Sequence, residues 1–255
     1  MEYISFASSS SGNCGLLRGG GENLLIDAGI SMKRIRMNLR AFGLDLGDLR
    51  GILVTHEHSD HVAALPMLSK YTELPVYLSR GTGEALLREG KCAPRNLRPL
   101  GEDLSLDLGE LRILGVPLSH DAAQPTGWRI EGEKSAAAVL TDLGKLTEGV
   151  LAAARGCRFA VVECNHDVEL LRRGPYPPAL QRRILGDRGH LSNEAGAELA
   201  RFLMEHGAEE VLLGHLSKEN NRPELALAAV RQRTEGGLRV SVAPRDACSA
   251  RIRVE

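Results

Sequence analysis

The sequence predicts an α/β fold in which two β-sheets pack face to face with helices on the outside. Short apolar runs recur along the chain, and stretches of helical periodicity separate them. At 255 residues, 43% hydrophobic and 25% charged, the chain is long enough to bury such a core, and it reads as one domain over residues 1–255.

The elements follow in order. Residues 3–6 form a strand that breaks into a run of small residues from Ala7 to Asn13, which either lies close to an anion through its free backbone N–H groups or is a plain turn. Ser11 and Asn13 are its candidate substrate contacts. Residues 24–26 form a buried strand ending in Asp27, a residue that either orients a neighbouring loop or caps. Ser31 then caps a helix with Met32, Ile35, Leu39 and Phe42 on one face. After a strand at 52–54, a helix is expected over 61–71, a strand at 75–78 and a helix at 83–88. Alternating leucines at 104–108 and 111–118 give two half-buried strands that run into His120. Residues 127–130 and 136–140 make a hairpin around Glu131-Gly132-Glu133-Lys134, and the second strand runs into Asp142. A helix over 145–155 leads to a strand at 159–162 and then to Glu163-Cys164-Asn165. Ser192 and Asn193 cap a helix reaching about Glu205, a strand at 211–214 ends in His215, a helix starts near Pro223, and the last strand lies at 238–242.

Composition narrows the function. The net charge of −1 excludes a globally basic nucleic-acid binder but leaves room for a local patch, and one exists: Arg172, Arg173, Arg182, Arg183 and Arg188 fall within residues 171–190, a segment broken by Pro175, Pro177 and Pro178. The five cysteines are odd in number and form no CxxC pair, so reduced thiols and a cytoplasmic location are expected. No leader-like start and no apolar run of membrane-spanning length is visible, which argues against a membrane partner.

The chemistry is concentrated in Thr55 to His61, THEHSDH, directly behind an apolar strand. Imidazoles and carboxylates in one loop suit Zn²⁺, Mn²⁺ or Fe²⁺, and four ligand types at His56, His58, Asp60 and His61 crowd a single tetrahedral ion. Two ions relieve the crowding. His56 and His58, two apart, lean toward one; Asp60 and His61 face the other. The remaining ligands must come from other strand ends, and His120, Asp142 and His215 each follow an apolar run. His206, before Gly207 at a helix end, reads as structural.

The HxHxDH pattern resembles the signature of the metallo-β-lactamase superfamily. The resemblance implies a four-layer αββα sandwich with a dinuclear site at one edge of the two sheets. It assigns His56, His58 and His120 to the first metal, Asp60, His61 and His215 to the second, and Asp142 as a bridge. The order SSSGN, THEHSDH, SHDA, TDLG, ECNHD, GHLSN, GHLS resembles the YycJ-type (WalJ-like) branch of 5′-to-3′ DNA exonucleases. That branch implies two divalent ions (Zn²⁺ or Mn²⁺, with Fe²⁺ a third option) and a bridging hydroxide that attacks phosphorus. Asp60 is then both ligand and catalytic residue, while His190 protonates the leaving oxygen, held by Glu163. Substrate contacts are expected from Ser11, Asn13, Asn165, Ser192 and the five arginines, with nucleic acid as partner and DNA favoured over RNA.

Three alternatives stand beside this reading. A thioester or small-ester hydrolase of glyoxalase type would use the same metals with an apolar pocket. An RNase Z-like endonuclease acting on tRNA would need a long arm, which the sequence lacks. A regulatory module that has lost catalysis would be expected to lack ligands. The 73 positions from Asp142 to His215 are too few for the inserted domain of the RNase J and β-CASP nucleases.

Overall fold

The computed structural model describes residues 1–254. Fourteen strands and nine helices are found among them. The first half runs β1 (Glu2–Ala7), β2 (Cys14–Gly19), β3 (Glu22–Ile26), α1 (Met32–Ala41), β4 (Gly51–Leu53), α2 (Ser59–Val62), α3 (Leu65–Tyr71), β5 (Val76–Leu78), α4 (Arg80–Arg88) and β6 (Leu97–Pro99). The second runs β7 (Ser105–Leu108), β8 (Leu111–Pro117), β9 (Thr126–Glu131), β10 (Ala136–Leu140), α5 (Glu148–Ala154), β11 (Cys157–Glu163), α6 (Val168–Arg173), α7 (Pro178–Leu185), α8 (Asn193–Glu205), β12 (Glu210–Gly214), α9 (Pro223–Thr234), β13 (Arg239–Val242) and β14 (Ile252–Arg253).

Two seven-stranded sheets result, ordered β14-β1-β2-β3-β4-β5-β6 and β13-β12-β11-β10-β9-β8-β7. Each is antiparallel on one side and parallel on the other: β3 to β6 run parallel in the first, β10 to β13 in the second. Parallel strands require crossovers, and the helices that supply them cover the outer faces.

The four layers follow from the alternation of side chains along the strands. Tyr3, Leu17, Leu24, Ile26 and Leu53 meet Ile113, Trp128, Val139, Phe159 and Val161 in one cluster between the sheets. Their sequence neighbours point outward. Ile4, Phe6, Leu16, Leu25 and Ile52 pack with Ile35, Leu39, Leu65 and Leu68 of the first helical layer. Ala138, Leu140, Ala160 and Val162 pack with Leu199, Leu203 and Val230 of the second. With a period of two, a strand that is apolar at every position has both faces to bury, and only a sheet between two layers does this.

The predicted αββα architecture is present, with local differences. Strands β2, β6 and β14 have no counterpart in the sequence reading. β2 holds only two large apolar residues among glycines, and β6 and β14 are short sheet edges without internal periodicity. The helix expected over 61–71 is two helices, because Pro66 at the second position of α3 has no N–H to continue α2. The arginine-rich segment is helical on both sides of its prolines, as α6 and α7. No helix among the described residues is long and apolar enough to cross a membrane.

Candidate metal centre

The ligand-type residues gather where strands from both sheets end. The β4–α2 loop carries His56 and His58, α2 carries Asp60 and His61, and His120, Asp142 and His215 follow β8, β10 and β12. Asp142 and His215 adopt left-handed backbone conformations, φ 64° and 56°, and so does Asp27 after β3, φ 60°. Non-glycine residues take this conformation at a cost of about 1–3 kcal/mol. Here it turns each side chain off the end of its strand toward the same point.

Two triads form. The donor atoms of His56, His58 and His120 lie within 4.8 Å of one another, and so do those of Asp60, His61 and His215. Asp142 stands between them: its Oδ2 is 3.3 Å from His61 Nε2 and its Oδ1 3.4 Å from His215 Nε2 on one side, and its carboxylate is within 4.8 Å of a ring nitrogen of His56 on the other. Seven residues spread from position 56 to 215 are thus brought together at one place.

The outer ring nitrogens are held. His61 Nδ1 donates to Asp27 Oδ2 at 2.8 Å, His120 Nδ1 to the Gly189 carbonyl at 3.0 Å, and His56 Nδ1 to Thr55 Oγ1 at 3.0 Å. His215 Nδ1 lies 3.1 Å from Glu163 Oε1. A donor fixed at Nδ1 leaves the Nε2 lone pair facing inward, the tautomer a metal needs. Asp27 also accepts from the Thr55 N–H at 2.8 Å, so of its two expected roles it is the orienting one that the structure supports. Gly29 lets the loop approach: a Cβ there would sit 1.6 Å from the Asp60 carbonyl oxygen.

Buried atoms test whether these residues fit metal ions. His120 Nε2 and Asp142 Oδ2 are buried with no hydrogen-bond partner, and His56 Nε2 faces His58 Nδ1 at 3.0 Å. Lone pairs aimed at one another in a dry site are unfavourable unless a cation lies among them. Nitrogen and carboxylate donors of this number suit Zn²⁺, Mn²⁺ or Fe²⁺. The charge distribution agrees. Burial alone would lower the His215 pKa, but Asp142, Asp60 and Glu163 overcome it and raise it to about 10. His61 is likewise lowered by burial and raised well above the ordinary value by Asp142, Asp27 and Asp60. His56 goes the other way, lowered by burial and then by His61, His120 and His58.

On the far side of Asp142 lies a carboxylate–imidazole pair. Glu163, the last residue of β11, is fully buried, and its Oε1 lies 2.7 Å from His190 Nδ1. Its Oε2 accepts from the Leu143 and Leu191 N–H groups at 3.0 and 3.2 Å. Burial would raise the Glu163 pKa, yet His190 and His215 more than offset this and hold it below the usual carboxylate range. The carboxylate therefore stays charged. His190 lines a cleft of about 170 Å³ together with Tyr176, Leu180, Arg183, Ile184, Asp121, Ser10 and Asn165.

The other expected contacts fall unevenly. Asn165 reaches the cleft and donates to the His215 carbonyl at 2.9 Å. Asn13 is buried, its N–H bonded to the Asp60 carbonyl at 2.7 Å, so it braces the metal loop instead of meeting substrate. Ser11 is exposed and outside the cleft, where Ser10 takes the place expected of it. Ser192 is committed as the N-cap of α8, accepting from the Ala195 N–H at 3.2 Å. Among the arginines, Arg183 lines the cleft with its Nε 2.5 Å from Asp121 Oδ2, and Arg188 donates to the His120 carbonyl at 3.2 Å. Arg182 is exposed on α7, while Arg172 and Arg173 pair with Glu169 on α6. His206 donates to the Phe202 carbonyl at 2.7 Å, consistent with a structural role. Thr55, Gly29, Ser10 and Tyr176 were missed by sequence reasoning. Thr55 opens the metal motif and Tyr176 stands in Pro175-Tyr176-Pro177-Pro178, the signals that were available.

A sandwich of two mixed sheets, with histidines and aspartates from both converging at one edge, defines a metal-dependent hydrolase of the metallo-β-lactamase fold. The chain matches the β-lactamase superfamily domain over residues 22–216. It is 35% identical over 248 residues to Exodeoxyribonuclease WalJ of Streptococcus pneumoniae serotype 2, covering 95% of this chain and 91% of that protein. It is 34% identical over 235 residues to Exodeoxyribonuclease YycJ of Bacillus anthracis, covering 91% and 88%. Among solved structures, the metallo-β-lactamase fold protein YhfI of Bacillus subtilis superposes with a TM-score of 0.74 at 15% identity, covering 97% of this chain and 98% of that one. The chain belongs to the β-lactamase superfamily, to its YycJ type.

Proposed function

We propose that this protein is a dinuclear-metal exonuclease that degrades DNA from the 5′ end. The observation that carries the reading is the placement of His190, held by a charged Glu163, next to the Asp142 carboxylate that joins the two triads: His190 Nδ1 is 3.7 Å from Asp142 Oδ1. Two relatives of nearly full length named as exodeoxyribonucleases support the substrate class.

In this reading His56, His58 and His120 would hold one ion and Asp60, His61 and His215 the other, with Asp142 available to both. Two divalent ions, Zn²⁺ or Mn²⁺, would supply an attacking water of lowered pKa and neutralise charge on the phosphate. The chain's own residues do the rest. Asp27 and Thr55 fix the ring orientation of the ligands. His190 carries a proton on Nε2 to the leaving O3′, whose own pKa lies far above neutrality. Glu163 holds the opposite nitrogen and stabilises the charged ring that must be restored between turnovers. Arg183 and Arg188 offer positive charge to backbone phosphates next to the site.

Incubation with Mn²⁺ or Zn²⁺ and single- or double-stranded DNA and RNA, labelled at either end, tests this. Mononucleotide release from the 5′ end of DNA is expected. Cleavage only within structured RNA would favour an endonuclease, and hydrolysis of thioesters without attack on DNA would overturn the phosphodiesterase reading.

A further inference from the structure

The cleft beside His190 has a composition that the metal chemistry does not explain. At about 170 Å³ it is smaller than the several hundred cubic ångströms of an ordinary ligand pocket, so it takes a single ring system and not a length of chain. Its apolar side is Tyr176 with Leu180 and Ile184 of α7, and its polar side includes Ser10, Asn165 and Ser217. One apolar wall with hydrogen-bonding groups around it suits a flat, polar-edged ring.

Tyr176 is set as a platform. Pro175 precedes it, and Pro177 and Pro178 follow it, so its backbone is held in extended conformations before any ligand arrives. The Gln181 side-chain amide donates to the Tyr176 carbonyl at 2.9 Å and ties the loop to the first turn of α7. The ring is half-buried, whereas Tyr3 is buried in the core and Tyr71 is exposed elsewhere.

We propose that this cleft seats the base of the terminal nucleotide, stacked on Tyr176. The inference rests on the exonuclease reading above. In hydrolysis from the 5′ end, the bond between phosphorus and O3′ of the terminal nucleoside breaks, water oxygen bonds to phosphorus, and the departing O3′ takes its proton from His190. The departing nucleoside therefore lies on the His190 side, where the cleft is.

The test compares duplex DNA having natural ends with duplexes carrying a tetrahydrofuran abasic residue at the 5′ terminus or at the 3′ terminus, using Mn²⁺-loaded wild type, Tyr176→Ala and Tyr176→Phe. Stacking of one base corresponds to about a 5- to 150-fold change. Wild type should remove the 5′ abasic residue with kcat/KM lower than a natural one by a factor in that range. The ratio should collapse toward one in Tyr176→Ala and persist in Tyr176→Phe. Equal rates on natural and 5′ abasic ends with wild type would overturn the subsite while leaving the exonuclease reading intact, as would discrimination confined to the 3′ end. Unequal rates that Tyr176→Ala leaves unchanged would overturn the role of Tyr176. Absence of any end-directed DNA degradation would overturn the exonuclease reading and the subsite with it.

Discussion

Glu163 Oε1 lies 2.7 Å from His190 Nδ1, and the same oxygen is 3.1 Å from His215 Nδ1. One buried carboxylate thus supports His190, the proposed proton donor, and His215, a proposed metal ligand, at once. Its second oxygen is occupied by two backbone N–H groups, so it cannot swing toward either partner. The two functions are mechanically joined, and removal of one partner differs from removal of the carboxylate.

Replacement of His190 by Ala is expected to keep the metal content and to lower kcat on DNA by about 10²- to 10⁴-fold, the usual worth of a positioned acid. The loss on bis(p-nitrophenyl) phosphate should be much smaller, because p-nitrophenolate leaves without a proton. Glu163→Gln should do both kinds of damage: slower turnover on DNA and metal affinity weaker by about 10- to 100-fold, since His215 loses its charged support. Steady-state kinetics on the two substrates and metal analysis after dialysis separate these outcomes. Equal slowing of both substrates by His190→Ala would mean that His190 is a ligand or a structural residue.

Asp142 lies within 3.4 Å of His61 Nε2 and His215 Nε2 of one triad, and its carboxylate is within 4.8 Å of a ring nitrogen of His56 in the other. Asp142→Ala is expected to lower bound metal below two ions per chain and to abolish activity, as read by elemental analysis of the dialysed protein. Two ions retained with full activity would rule out the bridging role.

The arginine-rich segment is divided by its contacts. Arg183 stands at the cleft, paired there with Asp121, whereas Arg172 and Arg173 pair with Glu169 on α6, outside the cleft. Arg183→Ala is expected to raise KM for DNA and to flatten the slope of log kcat/KM against log salt by about 0.9, one phosphate contact. Arg172→Ala should change both less. Equal salt slopes for wild type and Arg183→Ala would show that this side chain meets no phosphate.

His166 is 1% exposed, and neither of its ring nitrogens has a hydrogen-bond partner. Burial disfavours its charged form and lowers its pKa to about 4. The unfolded chain binds a proton here below about pH 6.5, and the folded chain does not until pH approaches 4. The contribution of this group is therefore present above pH 6.5 and is lost as pH falls toward 4, by at most about 3 kcal/mol. His166→Leu should lose less stability than wild type over that window in urea titrations. Parallel curves would show that the imidazole is not held neutral.

How much was legible in the sequence depends on how local each signal is. Strands such as residues 24–26, 52–54 and 136–140 announce themselves because both of their faces are buried, which makes nearly every position apolar. Helix starts at Ser31 and Ser192 were readable because a cap is a contact over three residues, and both hydroxyls accept from the N–H three positions on. THEHSDH declared a metal site because its ligands are adjacent in the chain. The same locality explains the failures: β6 and β14 are too short to show a period, and their residues are strands only because a neighbouring strand offers them hydrogen bonds.

The sequence by itself determined the residue types: the histidines and aspartates at the ends of apolar runs, and the family to which their order belongs. Only the tertiary structure decided their relations. It brought Asp142 between triads drawn from both sheets, made one oxygen of Glu163 serve His190 and His215, and assigned Ser192 to a helix end and Asn13 to the metal loop. It also placed Tyr176 beside His190. A ligand's chemistry resides in its side chain and can be read one residue at a time. Its position depends on where two sheets end relative to one another, and that is set by the packing of Leu24, Leu53, Trp128 and Phe159 between them.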